Sequence, residues 1–191
     1  MTDLNYENSR FLDIVNENDE VIDSGSRTDI HRLGLPHREV HVWMFDKNKN
    51  IFFQKRGLHT KSAGLLDATI GGHVNKGEDY LAAAIRETKE ETNILVSSSD
   101  LAFLKKVKAL ELPKENFEDN TNNFMRSVYI YKKPIDEKML KKEEGIPGGG
   151  FKTFSYQFLL NLAPEYRKTF INFVLTQELP YVLEYLHTWK S

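Results

Sequence analysis

The chain contains no cysteine, which excludes a disulfide framework, a thiolate zinc site and a cysteine nucleophile. It has no excess of one charge. Its 26 Lys+Arg stand against 28 Asp+Glu, a formal net charge of −2, so nothing calls for nucleic acid as an obligatory partner. No apolar run approaches the roughly 18–20 residues of a membrane span, and the polar opening MTDLNYENSR carries no signal-peptide apolar region. A cytoplasmic protein with no membrane partner is the expectation. Internal repeats and low-complexity tracts are missing as well. What remains is 191 residues, 40% hydrophobic and 12% aromatic, enough for one domain with a sizeable core.

Residues 1–10 read as a loose tail, and residues 11–191 as a single domain whose last part, 164–191, is a helical extension. Phe11–Asn16 suits a short strand, Asn18-Asp19-Glu20 a turn, and Ser24-Gly25-Ser26 a break. The aromatic and β-branched runs His41–Phe45 and Ile51–Gln54, separated by Asp46-Lys47-Asn48-Lys49-Asn50, predict a hairpin. A glycine-containing loop from Gly64 to Gly77 leads into a helical pattern over about Asp79–Thr92. Strands follow at Ala102–Leu110, Phe124–Lys132 and Phe151–Phe154, with Gly145–Gly150 as loop. Ser155 caps a helix through Asn161, Pro164 starts another over Glu165–Gln177, and Pro180 divides the C-terminal helices. Strands mixed with helices at hairpin and crossover spacings predict an α/β sandwich.

The chemistry concentrates at Gly71-Gly72-His73, Glu78 and the helix carrying Arg86-Glu87-Thr88-Lys89-Glu90-Glu91. At about 100° per residue, Glu87, Glu90 and Glu91 share an arc of about 100°, while Leu81, Ile85, Thr88 and Thr92 cluster on a separate side. Like charges at these spacings oppose helix formation by a few tenths of a kcal/mol per pair. An acid cluster of this kind makes sense if a hard divalent cation neutralises it. The glycines let the backbone approach the same place closely.

The full spacing, Gly72, five residues, Glu78, seven residues, Arg86-Glu87, then Glu90-Glu91, resembles the Nudix box, G-x5-E-x7-R-E-U-x-E-E-x-G-U with U aliphatic. Thr88 replaces the aliphatic residue and Asn93 the last glycine; neither change removes a chemical group. Lys61-Ser62-Ala63-Gly64 and Leu66-Asp67 are similar to the family's K-x-P-G-x-W-D segment. The resemblance implies a Nudix α/β/α sandwich with a mixed sheet and C-terminal helices. It also implies metal-dependent hydrolysis of a diphosphate linkage in a nucleoside diphosphate derivative, a small-molecule substrate, and Mg²⁺ or Mn²⁺ as cofactor. Carried over, Glu87, Glu90 and Glu91 with the Gly71 carbonyl become metal ligands, and Glu87 or Glu90 the catalytic base. Arg86 holds the carboxylates, with Gly72 and Glu78 in support. Glu143 or Glu144 stands as a late-loop alternative for the base. Arg56, Lys61 and His73 become substrate-binding residues. Trp43, Phe52 and Phe53 read mostly as core, with one ring available to stack on a base. A homodimer is compatible with the family.

Asp29-Ile30-His31-Arg32, Pro36-His37-Arg38 and Gly72-His73 resemble the type 1 isopentenyl-diphosphate isomerases, which bind a divalent metal through histidines. His31, His37 and His73 match such a set. Against isomerisation, those enzymes use a cysteine just before the Gly-His pair, where this chain has Gly71. A sensor that recognises a nucleotide without turnover is the remaining alternative; an intact box and the lack of a basic recognition helix weigh against it.

Overall fold

The computed structural model describes residues 10–58, 60–112, 121–140 and 147–190. Its strands are β1 (Phe11–Val15), β2 (Val21–Ser26), β3 (His37–Trp43), β4 (Asn50–Lys55), β5 (Leu66–Asp67), β6 (Ile70–His73), β7 (Leu101–Glu111), β8 (Asn122–Tyr131) and β9 (Gly150–Ser155). Its α-helices are α1 (Arg27–Leu33), α2 (Tyr80–Thr92), α3 (Tyr156–Leu160), α4 (Pro164–Arg167) and α5 (Leu179–Thr188). A six-stranded sheet runs β2-β1-β3-β8-β7, with β6 also on β3, and a three-stranded sheet runs β5-β4-β9. The larger sheet is mixed: β3 lies parallel to β8 and antiparallel to β6.

Period-two alternation divides the core. Val40, Val42 and Met44 face one way with Phe52, Ile70 and Val74, against Ala83 and Ala84 of α2. Trp43, Phe45, Ile51, Phe53, Phe124 and Val128 face the other way, against Leu175, Leu179, Val182 and Leu186 of the C-terminal helices. Trp43, Phe52 and Phe53 are fully buried, so all three rings are core. The mixed α/β architecture with C-terminal helices is the one anticipated. Among the described residues, no helix is long and apolar enough to cross a membrane.

Three local expectations are corrected. Ser24-Gly25-Ser26 continues β2 instead of breaking it, because Ser24, Gly25 and Ser26 pair in register with Asp13, Leu12 and Phe11 of β1. The runs at His41–Phe45 and Ile51–Gln54 meet through the Phe45–Ile51 bridge and then part into separate sheets. The turn between them forms as its residues demand. Asp46 Oδ1 accepts from the Asn48 and Asn50 amides at 2.8 and 2.9 Å, and Lys49 is left-handed at φ 61°. Glu165–Gln177 is not one helix. The Leu66 amide donates to Thr169 O and the Ile171 amide to Leu66 O, each at 2.9 Å, which draws the chain out between α4 and a π-helical turn at Val174–Glu178. Pro180 sits in the first turn of α5, where its missing N–H costs nothing.

Candidate active site

The loop before α2 is fixed at both ends. Gly77 is left-handed at φ 73°, and Asp79 caps the helix by accepting from the Ala82 amide at 2.8 Å. Arg86 then gathers the loop. It donates to Glu78 Oε1 and Oε2 at 2.9 and 2.8 Å, to the His73 carbonyl at 2.8 Å, to Glu87 Oε1 at 2.6 Å and to Glu90 Oε2 at 3.3 Å. Glu78 Oε2 also accepts from the Asn75 amide at 3.0 Å. Despite the cost of burial, the Glu78 and Glu87 carboxylates raise the Arg86 pKa, so this hub stays charged.

Glu87 is 6% exposed and lies against Gly72. A Cβ on residue 72 would stand 2.0 Å from the Glu87 carboxyl carbon, so glycine here makes room for that carboxylate. Burial pushes the Glu87 carboxyl above its ordinary pKa, against the pull of Arg86. Glu90 is exposed. Glu91 Oε2 accepts from Gln54 Nε2 at 2.7 Å, which turns it toward β4. The helix therefore presents Glu87 and Glu90 on one arginine and Glu91 to their side. Glu87, Glu90 and Glu91 are not among the sets whose ligand atoms close on one another among the described residues. The donors still suit a hard cation: all are carboxylate oxygens, one sits buried in a glycine cradle, and the Gly71 carbonyl belongs to the adjoining strand β6.

The two departures from the box are absorbed. Thr88 is buried and donates to Ala84 O at 2.7 Å. Asn93 adopts the left-handed conformation at φ 60° and closes the helix by donating to Lys89 O at 2.8 Å.

Arg56 faces Asp67 Oδ2 at 3.5 Å, and Lys61 faces Glu111 Oε2 at 3.1 Å. Glu143 and Glu144 lie outside the described residues. Beyond the anticipated set, Arg10 approaches Glu87 Oε1 at 3.8 Å. A buried ionic network also lies under the opposite face of β3. Arg126 donates to Glu39 Oε2 at 2.6 Å and to Glu178 Oε1 at 2.8 Å. Glu178 Oε2 pairs with His41 Nδ1 at 2.8 Å and accepts from Trp43 Nε1 at 3.2 Å. Against the desolvation of burial, His41 and Arg126 hold the Glu178 carboxyl down at about 2. The alternation His37, Glu39, His41 along β3 was the available signal: polar residues at every second position of a strand mark one polar face.

His31, His37 and His73 do converge, with one ligand atom of each within 4.8 Å of the others. His31 Nδ1 meets Thr121 O at 3.1 Å and His37 Nδ1 meets Leu35 O at 3.0 Å. Both rings are thereby set with Nδ1 as donor and Nε2 bare, the state of a metal-binding imidazole. His37 Nε2 is buried with no hydrogen-bond partner. His31 Nε2 and His73 Nε2 stand 3.0 Å apart. Burial lowers the His31 pKa to about 4 and takes His73 well below its ordinary value, so both are neutral at pH 7. Three bare or contested nitrogens around Glu39, whose Oε1 is 3.6 Å from His73 Nε2, fit a borderline divalent cation.

An acid-bearing helix following a glycine cradle, on a mixed α/β sandwich, defines a fold class known for diphosphate chemistry. The NUDIX domain model matches residues 35–170, and the chain belongs to the Nudix family. It is 31% identical over 146 residues to an uncharacterized Nudix hydrolase of Nostoc sp., a match covering 69% of this chain and 86% of that protein. It is 41% identical over 86 residues to another from Streptomyces coelicolor, covering 42% of this chain and 45% of that one; the chain thus spans about half the length of the first curated relatives it matches. A Deinococcus radiodurans crystal structure superposes with a TM-score of 0.56 at 25% identity, covering 79% of this chain and 86% of that one. Nudix hydrolases in general use a divalent metal and act on small-molecule diphosphates.

Proposed function

We propose that the protein hydrolyses the diphosphate linkage of a nucleoside diphosphate derivative, releasing a mononucleotide and a phosphorylated remainder, with Mg²⁺ or Mn²⁺ held by Glu87, Glu90, Glu91 and the Gly71 carbonyl. The observation that carries this reading is Glu87, buried in the Gly72 cradle with its pKa raised and set directly on Arg86. A divalent cation at this place supplies neutralisation of phosphate oxygens. The chain's residues supply the rest. Glu87 takes a proton from the attacking water, a role favoured by its raised basicity. Water's oxygen bonds to one phosphorus, the bridging P–O bond breaks, and the leaving phosphate carries away the electron pair. Arg86 holds Glu87 and the loop at fixed spacing, so the base does not wander. In this reading Arg56, Lys61 and His73 bind the substrate, and Gly72 and Glu78 support the loop.

A panel of nucleotide sugars, dinucleoside polyphosphates, CoA, capped RNA and prenyl diphosphates tests the reading. Mononucleotide release that requires Mg²⁺ or Mn²⁺ and falls by orders of magnitude in Glu91→Gln supports it; nucleotide binding without turnover of any member overturns it.

One observation favours a second reading. The convergence of His31, His37 and His73 is the metal-binding pattern of an isopentenyl-diphosphate isomerase-like enzyme. Gly71 leaves no thiol beside the Gly-His pair to move a proton, which sets this reading second. Interconversion of isopentenyl and dimethylallyl diphosphate would put it first.

A further inference from the structure

The family model begins at residue 35, yet the chain before it is built into the site. The Lys76 amide donates to Phe11 O at 2.8 Å, the Gly77 amide donates to Asp13 Oδ2 at 2.8 Å, and Leu12 bridges Asn75. These three ties clamp β1 along the loop that leads into α2. The Arg27 amide, at the start of α1, donates to Arg10 O at 2.8 Å, so residues 10 and 27 are held as a pair. The Arg10 guanidinium is thereby set 3.8 Å from Glu87 Oε1, with 23% of its side chain exposed. That separation is longer than a hydrogen bond, so the fork of donors is not spent on the carboxylate. Arg27 is near enough to His31 and His73 for its charge to act on both.

A diphosphate that reaches this helix meets Glu78, Glu87, Glu90 and Glu91 against a single helix arginine already committed to the first three. Arg56 and Lys61 each bring an acid of their own, Asp67 and Glu111, which leaves room for a further cation. An anionic substrate needs cations whose donors point at it, and a planar guanidinium matches two phosphate oxygens at once. We infer that Arg10, with Arg27 beside it, is the phosphate-binding arm of this site, supplied by the segment N-terminal to the family domain. The inference rests on the diphosphate reading above. It makes α1 and β1 part of substrate recognition, and it assigns Arg10 to the diphosphate itself, independent of base and leaving group.

Calorimetric titration of the full chain with methylenediphosphonate, a diphosphate that water cannot cleave, in saturating Mg²⁺ tests it. Arg10→Met keeps the apolar stem and removes the charge; the diphosphonate should bind about 10–100-fold more weakly, the scale of a lost charge-assisted bond. Arg10→Lys should recover much of that, and Arg27→Met should lose several-fold. Arg32→Ala, on an exposed pair with Asp29, should bind as the unsubstituted chain does. Mg²⁺ affinity without diphosphonate should be unchanged or tighter in Arg10→Met, since a competing cation is gone. Unchanged diphosphonate affinity in a folded Arg10→Met, or a loss that merely tracks weakened Mg²⁺ binding, overturns the inference and leaves Arg10 a structural ion pair. In the unsubstituted chain, the Arg10 Nε–H resonance should shift with the same midpoint as the titration; a stationary resonance overturns the inference equally. If no diphosphate is turned over but the diphosphonate still weakens in Arg10→Met, hydrolysis fails and the arm stands. Turnover with unaltered diphosphonate affinity gives the reverse.

Discussion

Gly72→Ala is a small change with a large expected consequence. Its Cβ would fall 2.0 Å from the Glu87 carboxyl carbon and 2.2 and 2.5 Å from the two oxygens, where ordinary contact begins at 3.4 Å. Something must give by about 1.4 Å, the difference between 3.4 and 2.0. The nearest movable group is the carboxylate itself, at the end of a flexible side chain. A catalytic group misplaced by about 1 Å costs on the order of 100-fold in rate, or about 2.7 kcal/mol. The fold should survive, because Gly72 needs no positive φ and Gly→Ala stiffens the unfolded chain by about 0.4–1 kcal/mol in compensation. Initial rates at saturating Mg²⁺ should therefore fall about 100-fold or more, Mn²⁺ binding followed by electron paramagnetic resonance should weaken, and the melting temperature should move by only a few degrees. Rate and Mn²⁺ affinity both within about threefold of the unsubstituted chain would refute the cradle.

Glu178→Leu strips one carboxylate from Arg126 and His41 and should destabilise by about 3–5 kcal/mol, read as a lower urea midpoint; a loss under about 1 kcal/mol contradicts the buried network. Because the Glu178 carboxyl is held at about 2 in the fold, its contribution is complete above the ordinary carboxylate range and fades as pH falls toward 2. His31 acts in a higher window: its folded pKa of about 4 lies under the ordinary 6.5, so the unfolded chain binds the extra proton between those values. Stability in EDTA should therefore decline as pH falls from 6.5 to 4, and His31→Asn should flatten that slope; an unchanged slope counts against it. Asn93→Ala places a Cβ-bearing residue with no αL preference at φ 60° and should cost about 1 kcal/mol, seen as a melting temperature lower by roughly 2–4 °C.

The local chemistry was legible in the sequence. The spacing from Gly72 to Glu91, the Asp79 cap and the Asn93 stop are set by residues within a few positions of one another, and α2 forms as they require. The strand runs at Ala102–Leu110 and Phe124–Lys132 were equally local, and β7 and β8 form there. The partners separated by long stretches of chain were not legible. Glu178 reaches His41 across 137 positions and Arg126 reaches Glu39 across 87; no periodicity announces such pairs. The β3–β4 turn was correctly read, but which sheet each strand joins depends on β8 and β9 pairing from far along the chain. Arg10 was assigned to a loose tail because the ties that hold Phe11 to Lys76 and Arg10 to Arg27 are made by backbone groups, which carry no residue signature. The histidines were read from a family pattern, and their convergence needed β6 laid against β3.

Phosphorus NMR in ¹⁸O-enriched water, run over the substrate panel, reports on bond cleavage itself. With Mg²⁺ or Mn²⁺ present, a diphosphate signal should give way to two phosphomonoester signals, one of them isotope-shifted by the oxygen that Glu87 helped deliver, and neither should arise in EDTA or in Glu87→Gln. Diphosphate signals that persist unchanged for every compound, with both metals at saturation, would contradict hydrolysis at this site.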